Sequence, residues 1–231
     1  MKILVQARKP GKADNMSRQP VIVYGAGGHS KVVIDILERT QKYDIVGVVD
    51  DDPARKGHDF CGYHLLGDIE YLLEHGSKTG VVLAIGDNKT RERLARRLGP
   101  LGFKFITAIH PTAVVGRDVK LGAGTVLMAN VAVNPGAVLG EHVIVNTGAT
   151  IDHDCVIGDF AHISPGVHLG GHVSVGPGTH IGIGASVIDE VAIGANSTIG
   201  AGAAVIEDVP AGVIAVGVPA RVIKQVPDLT L

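Results

Sequence analysis

The second half of this chain carries an aliphatic residue at every sixth position, without interruption, from Ile109 to Val205. Helices repeat at about 3.6 residues and strands at about 2, so a strict period of six is typical of a solenoid built from short repeating units. The series consists of Ile109, Val115, Leu121, Leu127, Val133, Leu139, Val145, Ile151, Ile157, Ile163, Leu169, Val175, Ile181, Val187, Ile193, Ile199 and Val205.

A second series accompanies the first. Four residues after each aliphatic stands a small or β-branched residue, such as Ala149 or Cys155, and glycine often follows the aliphatic directly. Each hexad therefore predicts one short strand and a tight corner that a side chain would obstruct. Three hexads close a triangular coil, so residues eighteen positions apart stack. The sequence predicts an all-β left-handed parallel β-helix of hexapeptide repeats, a rare exception to right-handed crossover connections.

The first half alternates short apolar strands with helices. We predict strands at 21–24, 45–49 and 81–85, and helices at 32–39 and 89–98. Such alternation is typical of a small, Rossmann-like α/β domain with a crevice at the carboxyl edge of its sheet. The predicted organisation is a disordered leader (1–19), an α/β domain (20–106), the β-helix (107–210) and a C-terminal tail (211–231).

A glycine-rich loop joins the first strand to the first helix. Strand, glycine loop and helix together aim backbone N–H groups at a phosphate, although the loop also fits a simple turn, and a serine replaces the third glycine of the usual fingerprint. About 85 residues are half of a dinucleotide fold, which favours one nucleoside diphosphate over a nicotinamide cofactor. Acidic residues after the second strand fit a ribose contact or a solvated turn. The candidate substrate-binding residues are Gly25, Gly27, Gly28, His29, Ser30, Asp50 and Asp51.

Composition and charge limit the partners to be expected. A formal charge of −2 does not favour nucleic acid or an anionic membrane surface. No apolar run approaches the roughly 18 residues of a membrane span, the N-terminus lacks a secretory signal, and there are only two cysteines, so we expect a cytoplasmic protein. Met16 is a candidate natural start, which leaves open whether residues 1–15 are native.

Six histidines lie between residues 142 and 180, all at outward positions of the repeat. We expect most of them to face a subunit interface or water. His153 differs, because Asp152 and Asp154 flank it, and a neighbouring carboxylate fixes the tautomer and raises the basicity of an imidazole. Asp154 is the favoured partner. No two histidines are five residues apart, as the zinc pair of hexapeptide carbonic anhydrases is, so no metal is expected.

The eighteen-residue register adds further candidates near His153. Gly171 lies one coil above it and leaves bare backbone, along which a thin, extended ligand could lie with its reactive end near His153. Ile183 and Ala201 stack on another edge and could form an apolar wall, and His162 stacks with His180.

Five segments together resemble the bacterial nucleotide-sugar acetyltransferases of the hexapeptide-repeat family. The family includes N-acetyltransferases of UDP-linked 4-amino sugars and of GDP-perosamine, with sialic acid O-acetyltransferases as cousins. The resemblance covers residues 20–224, and its segments are GAGGHSK at 25–31, VVDDDP at 48–53, IHPTA at 109–113, VNTGATIDHDCVIGDFAHISPG at 145–166 and GVPARVIK at 217–224.

The resemblance implies a homotrimer that holds acetyl-CoA in the groove between adjacent β-helices, with the sugar nucleotide on the α/β domain. By position, His153 is similar to the general base, Asp154 to its carboxylate partner and Asn146 to an active-site asparagine. The implied coenzyme contacts are His162 beside the thioester, Gly171 and Ile183 at the pantetheine, Ala201 in place of a glycine, and Arg221 and Lys224 at the nucleotide phosphates.

We therefore expect an acetyl-CoA-dependent N-acetyltransferase that acts on a nucleotide-linked amino sugar by direct transfer, with His153 as the base. The alternative enzymatic activity is sugar O-acetylation. The alternative without catalysis is a trimeric scaffold that binds nucleotide sugars. The sequence decides neither between UDP and GDP nor which sugar carbon carries the acceptor.

Overall fold

The computed structural model describes residues 18–55, 57–76 and 79–226. The leader predicted for residues 1–19 lies outside the described residues except for its last two. The described chain forms an α/β domain followed by a β-helix.

The α/β domain contains one six-stranded sheet in the order β3-β4-β2-β1-β5-β6, parallel except for the β3–β4 pair. Its helix α1 begins four residues earlier than predicted, so part of the glycine loop lies in the first helical turn. The elements are β1 (Gln19–Tyr24), α1 (Gly28–Thr40), β2 (Tyr43–Val49), β3 (Asp59–Phe60), β4 (Tyr63–Gly67), α2 (Ile69–His75), β5 (Gly80–Leu83), α3 (Asn88–Leu98) and β6 (Lys104–Phe105), with single 3-10 turns at Pro53–Arg55 and Gly99–Leu101.

The hexads form the predicted β-helix of two-residue strands. They are β7 (Ala108–Ile109), β8 (Val114–Val115), β9 (Lys120–Leu121), β10 (Val126–Leu127), β11 (Ala132–Val133), β12 (Val138–Leu139), β13 (Ile144–Val145), β14 (Thr150–Ile151), β15 (Val156–Ile157), β16 (His162–Ile163), β17 (His168–Leu169), β18 (Ser174–Val175), β19 (His180–Ile181), β20 (Ser186–Val187), β21 (Ala192–Ile193), β22 (Thr198–Ile199) and β23 (Ala204–Val205).

Parallel pairs eighteen residues apart, such as Val126 with Ile144, build the three flat faces of the prism. We name the faces by their strands. Sheet 1 holds β7, β10, β13, β16, β19 and β22, sheet 2 runs from β8 to β23, and sheet 3 runs from β9 to β21, each taking every third strand.

The aliphatic series fills the interior of the prism. From Leu127 to Val205 each of its members is at most 4% exposed, whereas Val115 in the first coil is 39% exposed. The small partners also point inward, and Cys155 donates its thiol to the carbonyl of Gly170 at 3.1 Å. The predicted period and the predicted inward positions are therefore confirmed.

The α/β domain packs against sheet 1. The outward residues Val126 and Ile144 of that sheet are fully buried, whereas Val138 and Val156 on sheet 3 are 37% and 53% exposed. One apolar cluster runs without a break from α1 into the prism. The two units therefore share a core.

The segment predicted as a tail adds two strands to sheet 1. These are β24 (Val213–Val216), parallel to β22, and β25 (Arg221–Gln225), antiparallel to β24. Within the described ranges, no helix has both the length and the apolar character that crossing a bilayer requires.

Candidate active site

The glycine loop contains one glycine with a positive φ and two glycines that face open space. Gly25 has φ +113°, and a Cβ there would lie 2.9 Å from the carbonyl oxygen of Ala84, so only glycine fits. A Cβ at Gly27 or Gly28 would meet no atom of the described residues within 4 Å. The loop therefore turns bare backbone towards the crevice, where helix α1 begins.

The other loop residues have partners inside the protein. Ser30 is fully buried, and its hydroxyl donates to the carbonyl of Ala84 at 2.9 Å. Asp50 accepts the N–H of Ala26 at 2.6 Å, and Asp51 accepts the hydroxyl of Tyr24 at 2.8 Å. The two carboxylates hold the loop and the neighbouring turn in place, although Asp51 is exposed, so the solvated-turn alternative stays open. A ribose contact stays a prediction.

A cavity of about 240 Å³ lies beside the loop, bounded by the segment between β2 and β4. Residues after Pro53 in this segment were not among the sequence candidates, because nothing in their pattern separates a pocket from a connecting loop. The lining residues are Ala26, Ala54, Arg55, His58, Asp59, Phe60 and Leu65.

Two of the six outward histidines, His142 before β13 and His162 on β16, face neither water nor another subunit, unlike what was expected of most of them. His142 is 1% exposed and His162 9% exposed, since the chain's own α/β domain covers them. The ring of His142 stacks on Phe160 with centroids 5.3 Å apart and meets the edge of Phe105 at 4.4 Å. His162 stacks against His180 at 4.8 Å, as the register predicted.

These imidazoles are held neutral. Burial, with a smaller contribution from the nearby guanidinium of Arg91, lowers the pKa of His29 and of His142 to about 4. Burial also lowers the pKa of His162 to about 3. Nε2 of His29 and Nδ1 of His142 and His162 are buried without a hydrogen-bond partner among the described residues.

Asn146 lies with this histidine group. Its side-chain nitrogen is 3.3 Å from Nε2 of His162, and its side-chain oxygen accepts the N–H of Thr147 at 2.8 Å. Asn146 follows β13 at the corner between sheets 1 and 2, so it borders the junction between the domains.

His153 lies at a different corner, between β14 of sheet 2 and β15 of sheet 3. Its Nδ1 is 2.9 Å from Oδ2 of Asp154, and both side chains are 53% exposed. This hydrogen bond raises the pKa of His153 above its ordinary value, with smaller contributions from Asp152 and other carboxylates. Asp154 adopts φ +57°, and the turn aims its carboxylate at the ring.

The pairing assigns the tautomer of His153. A carboxylate only accepts, so Nδ1 carries the proton and Nε2 keeps a free lone pair. Asp152 has another task, since its Oδ1 accepts from the backbone N–H of His153 and from the side chain of Asn134, both at 2.7 Å. The sequence-based preference for Asp154 over Asp152 agrees with this geometry.

Gly171 lies directly over the imidazole, as the register predicted. A Cβ on Gly171 would be 2.8 Å from Nε2 of His153 and 2.7 Å from its Cε1. A side chain at this position would therefore cover the nitrogen that is free to accept a proton.

The remaining predicted residues lie further along the β-helix. Ile183 is 61% exposed and Ala201 is also exposed, so both are open to a ligand. Arg221 and Lys224 are exposed on β25, where Arg221 is 3.6 Å from the carboxylate of Glu207. The structure does not bring these side chains into contact with His153.

Sequence reasoning missed two residues. Arg91 on α3 is 1% exposed and donates to the carbonyls of His142 at 2.9 Å and Phe160 at 2.8 Å. His172 stacks one coil above Asp154, with Nε2 3.9 Å from its carboxylate. The helical period would have placed Arg91 on the buried face with Leu94. The eighteen-residue register would have found His172.

The fold matches that of known acetyltransferases. A family model described as the PglD N-terminal domain matches residues 20–98. The acetyltransferase domain of PglB from Neisseria gonorrhoeae FA1090 superposes with a TM-score of 0.83 and 37% identity, covering 89% of this chain and 100% of that one. The chain belongs to the nucleotide-sugar N-acetyltransferases.

Other members of this family give the same result. PerB from Caulobacter crescentus, solved with CoA and GDP-perosamine, superposes with a TM-score of 0.84 and 40% identity over 91% of this chain and 100% of PerB. UDP-N-acetylbacillosamine N-acetyltransferase of Bacillus subtilis (strain 168) is 38% identical over an alignment of 124 residues, which covers 47% of this chain and 51% of that relative. The chain thus matches about half the length of that curated relative. The predicted left-handed β-helix with an N-terminal α/β domain is confirmed.

Proposed function

We propose that this protein transfers the acetyl group of acetyl-CoA to the amine of an amino sugar carried on UDP or GDP. The observation that carries the proposal is the His153–Asp154 pair. It leaves Nε2 free to accept a proton, in a chain that superposes over 91% of its length on an enzyme solved with CoA and GDP-perosamine.

The α/β domain supplies the acceptor site in this proposal. The bare backbone at Gly27 and Gly28 and the start of α1 suit a diphosphate. The cavity beside Ala26, which Phe60 and Arg55 line, is large enough for a nucleobase. The acceptor sugar then extends from the loop towards the β-helix.

The chemical step is a direct transfer. The neutral amine attacks the thioester carbonyl, and Nε2 of His153 takes one proton from the nitrogen as the new C–N bond forms. The C–S bond then breaks, the coenzyme leaves as a thiolate, and the imidazolium returns the proton to it. No enzyme nucleophile is needed because the thioester is already activated. Positioning supplies much of the rate, and a placed base adds about 10² to 10⁴-fold.

We further propose that the active enzyme is a homotrimer. His153 lies between sheets 2 and 3, whereas Asn146 and His162 border sheet 1, so one chain presents them at different corners. In a threefold assembly, the His153 corner of one subunit faces the junction of its neighbour. Acetyl-CoA would lie in the groove between them, along Gly171, Ile183 and Ala201, with its phosphates near Arg221 and Lys224. The predicted location in the cytoplasm stays a prediction.

An acceptor panel tests the reaction. We expect thiol release from acetyl-CoA with at least one UDP- or GDP-linked amino sugar, measured with a thiol reagent, and no release with the analogue that carries hydroxyl at the same carbon. Faster release with the hydroxyl acceptor would make the protein an O-acetyltransferase. No release with any acceptor would contradict the proposal.

A substitution tests the base. His153→Ala should lower kcat by about 10² to 10⁴-fold, because a placed base contributes that much, while the oligomeric mass stays unchanged. His168→Ala is the control, since His168 is an equally outward histidine that contacts Thr150 on sheet 2. If His153→Ala keeps full activity, His153 is not the general base.

A further inference from the structure

Three donor side chains converge at the His153 corner of the β-helix. Nδ1 of His153 lies 2.9 Å, and Nε2 of His172 3.9 Å, from Oδ2 of Asp154. All three ligand atoms lie within 4.8 Å of one another, and all three side chains are exposed.

The backbone fixes this convergence. Asp154 and His172 occupy successive coils, and both adopt left-handed conformations, with φ of +57° and +58°. The N–H of His172 donates to the carbonyl of His153 at 3.0 Å, and the two imidazoles meet edge to face with centroids 5.1 Å apart. The three donors are therefore presented from two rigid corners, which lowers the entropic cost of gathering them around an ion.

The donor set suits zinc. Two imidazole nitrogens and one carboxylate oxygen are ligands that Zn²⁺ binds at about 2.0–2.2 Å, and three protein ligands leave a fourth position for water. Tetrahedral bonds of that length separate the ligand atoms by about 3.3 Å. The present separations of 2.9 and 3.9 Å to the carboxylate bracket that distance, and the two imidazole donors, within 4.8 Å of each other, can approach it by side-chain rotation.

We propose that His153, Asp154 and His172 form an inhibitory zinc site. Zn²⁺ binds the Nδ1 lone pair of His153 in place of the proton that Nδ1 donates to Asp154. That proton moves to Nε2, and the imidazole stays neutral. Nε2 then has no lone pair for the amine proton, so a chain that holds zinc cannot use His153 as a base. The inhibition rests on the proposed function, whereas the binding does not.

Calorimetric titration of the tag-free, chelator-treated protein with ZnCl₂ tests the site. We expect one ion per chain, and a dissociation constant weakened by about tenfold or more in His172→Asn, since losing a ligand costs at least as much as losing a supporting partner. Asparagine tolerates the left-handed backbone at position 172. His168→Asn, the same change at an exposed histidine outside the cluster, should bind zinc like the wild type. Absent binding, or equal binding by the wild type and His172→Asn, would overturn the proposal.

A parallel assay tests the inhibition. Zinc at its measured dissociation constant should halve acetyl transfer by the wild type and by His168→Asn. At that zinc concentration, His172→Asn should lose only about a tenth of the rate that it shows without metal. It should require about tenfold more zinc to lose half of that rate. If zinc binds through His172 but leaves transfer unchanged, the inhibitory part is wrong. If no acceptor supports transfer even without metal, the proposed function fails while the titration still decides the site.

Discussion

The carboxylate of Asp154 determines which nitrogen of His153 carries the proton. It accepts from Nδ1 at 2.9 Å and so leaves Nε2 unprotonated under the bare backbone of Gly171. The neighbouring Asp152 has the same charge but binds the backbone of His153 and the side chain of Asn134. At the residue scale, the candidate base thus depends on one side-chain contact.

Asp154→Asn should lower kcat by about 10² to 10⁴-fold, because the amide can donate to Nδ1 and leave the proton on Nε2, which removes the base. Steady-state kinetics with acetyl-CoA in metal-free buffer measures the effect. Asp152→Asn is the matched control and should stay within about tenfold of the wild type. Equal losses in the two variants would show that the contact to Nδ1 is not what matters.

Much of this site could be predicted from the sequence, because the repeat fixes where each residue lies on the β-helix. The period of six placed His153 outward at a corner, and the register of eighteen placed Gly171 above it. The same register puts His172 above Asp154. The preference for Asp154 over Asp152 came without a geometric reason, since only the left-handed turn at Asp154 decides which carboxylate reaches the ring.

At the scale of single elements, α3 joins the two halves of the protein through Arg91. Among the described residues, this guanidinium has no carboxylate hydrogen-bond partner. It donates instead to four carbonyl oxygens, those of Ile85, Gly86, His142 and Phe160, and to the side chain of Asn88. Asn88 in turn donates to the carbonyl of Gly178 at 3.0 Å. The helix therefore satisfies corner carbonyls of the β-helix that the packed domain shields from water.

Arg91→Lys should lower the free energy of unfolding by about 3 kcal/mol, since a single ammonium cannot reach all of these acceptors and each one left buried and unpaired costs about 1–3 kcal/mol. Urea denaturation followed by circular dichroism measures the change. Arg97→Lys on the same helix breaks only an exposed pair with Glu70 and should cost under about 1 kcal/mol. A loss below about 1 kcal/mol in Arg91→Lys would contradict this account.

Elements of the α/β domain were predicted unevenly. β1, β2 and β5 were predicted because they are apolar runs, whereas β3 has two residues and β4 is only partly buried, so neither shows a clear alternation. The seven-residue helix α2 has only two buried side chains, Ile69 and Leu72, and its start depends on the cap from Asp68. Short elements are stabilised by neighbours that a sequence window does not contain.

For the whole molecule, the junction between the domains makes stability depend on pH. His29, His142 and His162 have folded pKa values of about 4, 4 and 3, below the ordinary 6.5 of an unfolded chain. The unfolded chain therefore binds more protons once the pH falls below 6.5. The stability that these neutral rings contribute is complete above pH 6.5 and is lost as the pH falls towards 4.

We expect the free energy of unfolding, measured by urea denaturation, to fall between pH 7 and pH 5. Each buried imidazole contributes up to about 1.4 kcal/mol per pH unit at the acidic end of this range. His142→Asn should lower the slope of unfolding free energy against pH by the share of one proton, because it removes one of these rings. Asparagine fits the left-handed backbone at φ +54°. His168→Asn, at an exposed ring, should keep the wild-type slope. An unchanged slope in His142→Asn would contradict the lowered pKa.

The proposed trimer also makes a prediction at this scale. Val138 and Val156 are paired on sheet 3 and exposed in the single chain. Val156→Lys should reduce the mass measured by light scattering from three chains towards one, because a charge cannot be buried unpaired in an apolar interface. Val46→Lys alters a similarly exposed valine on the α/β domain and should leave the mass unchanged. If the wild-type protein has the mass of one chain, the trimer proposal is wrong.

The stacking of residues eighteen apart also limits how such a chain can change length over evolution. Six inserted residues would preserve the inward aliphatic pattern, yet every corner beyond them would rotate onto the next edge of the prism. An insertion between His153 and Gly171 would then separate the base from the glycine above it while leaving the inward aliphatic series intact. Whole coils are the only increments that lengthen the prism and keep distant corners aligned, so this architecture tolerates duplication of complete turns far better than small indels.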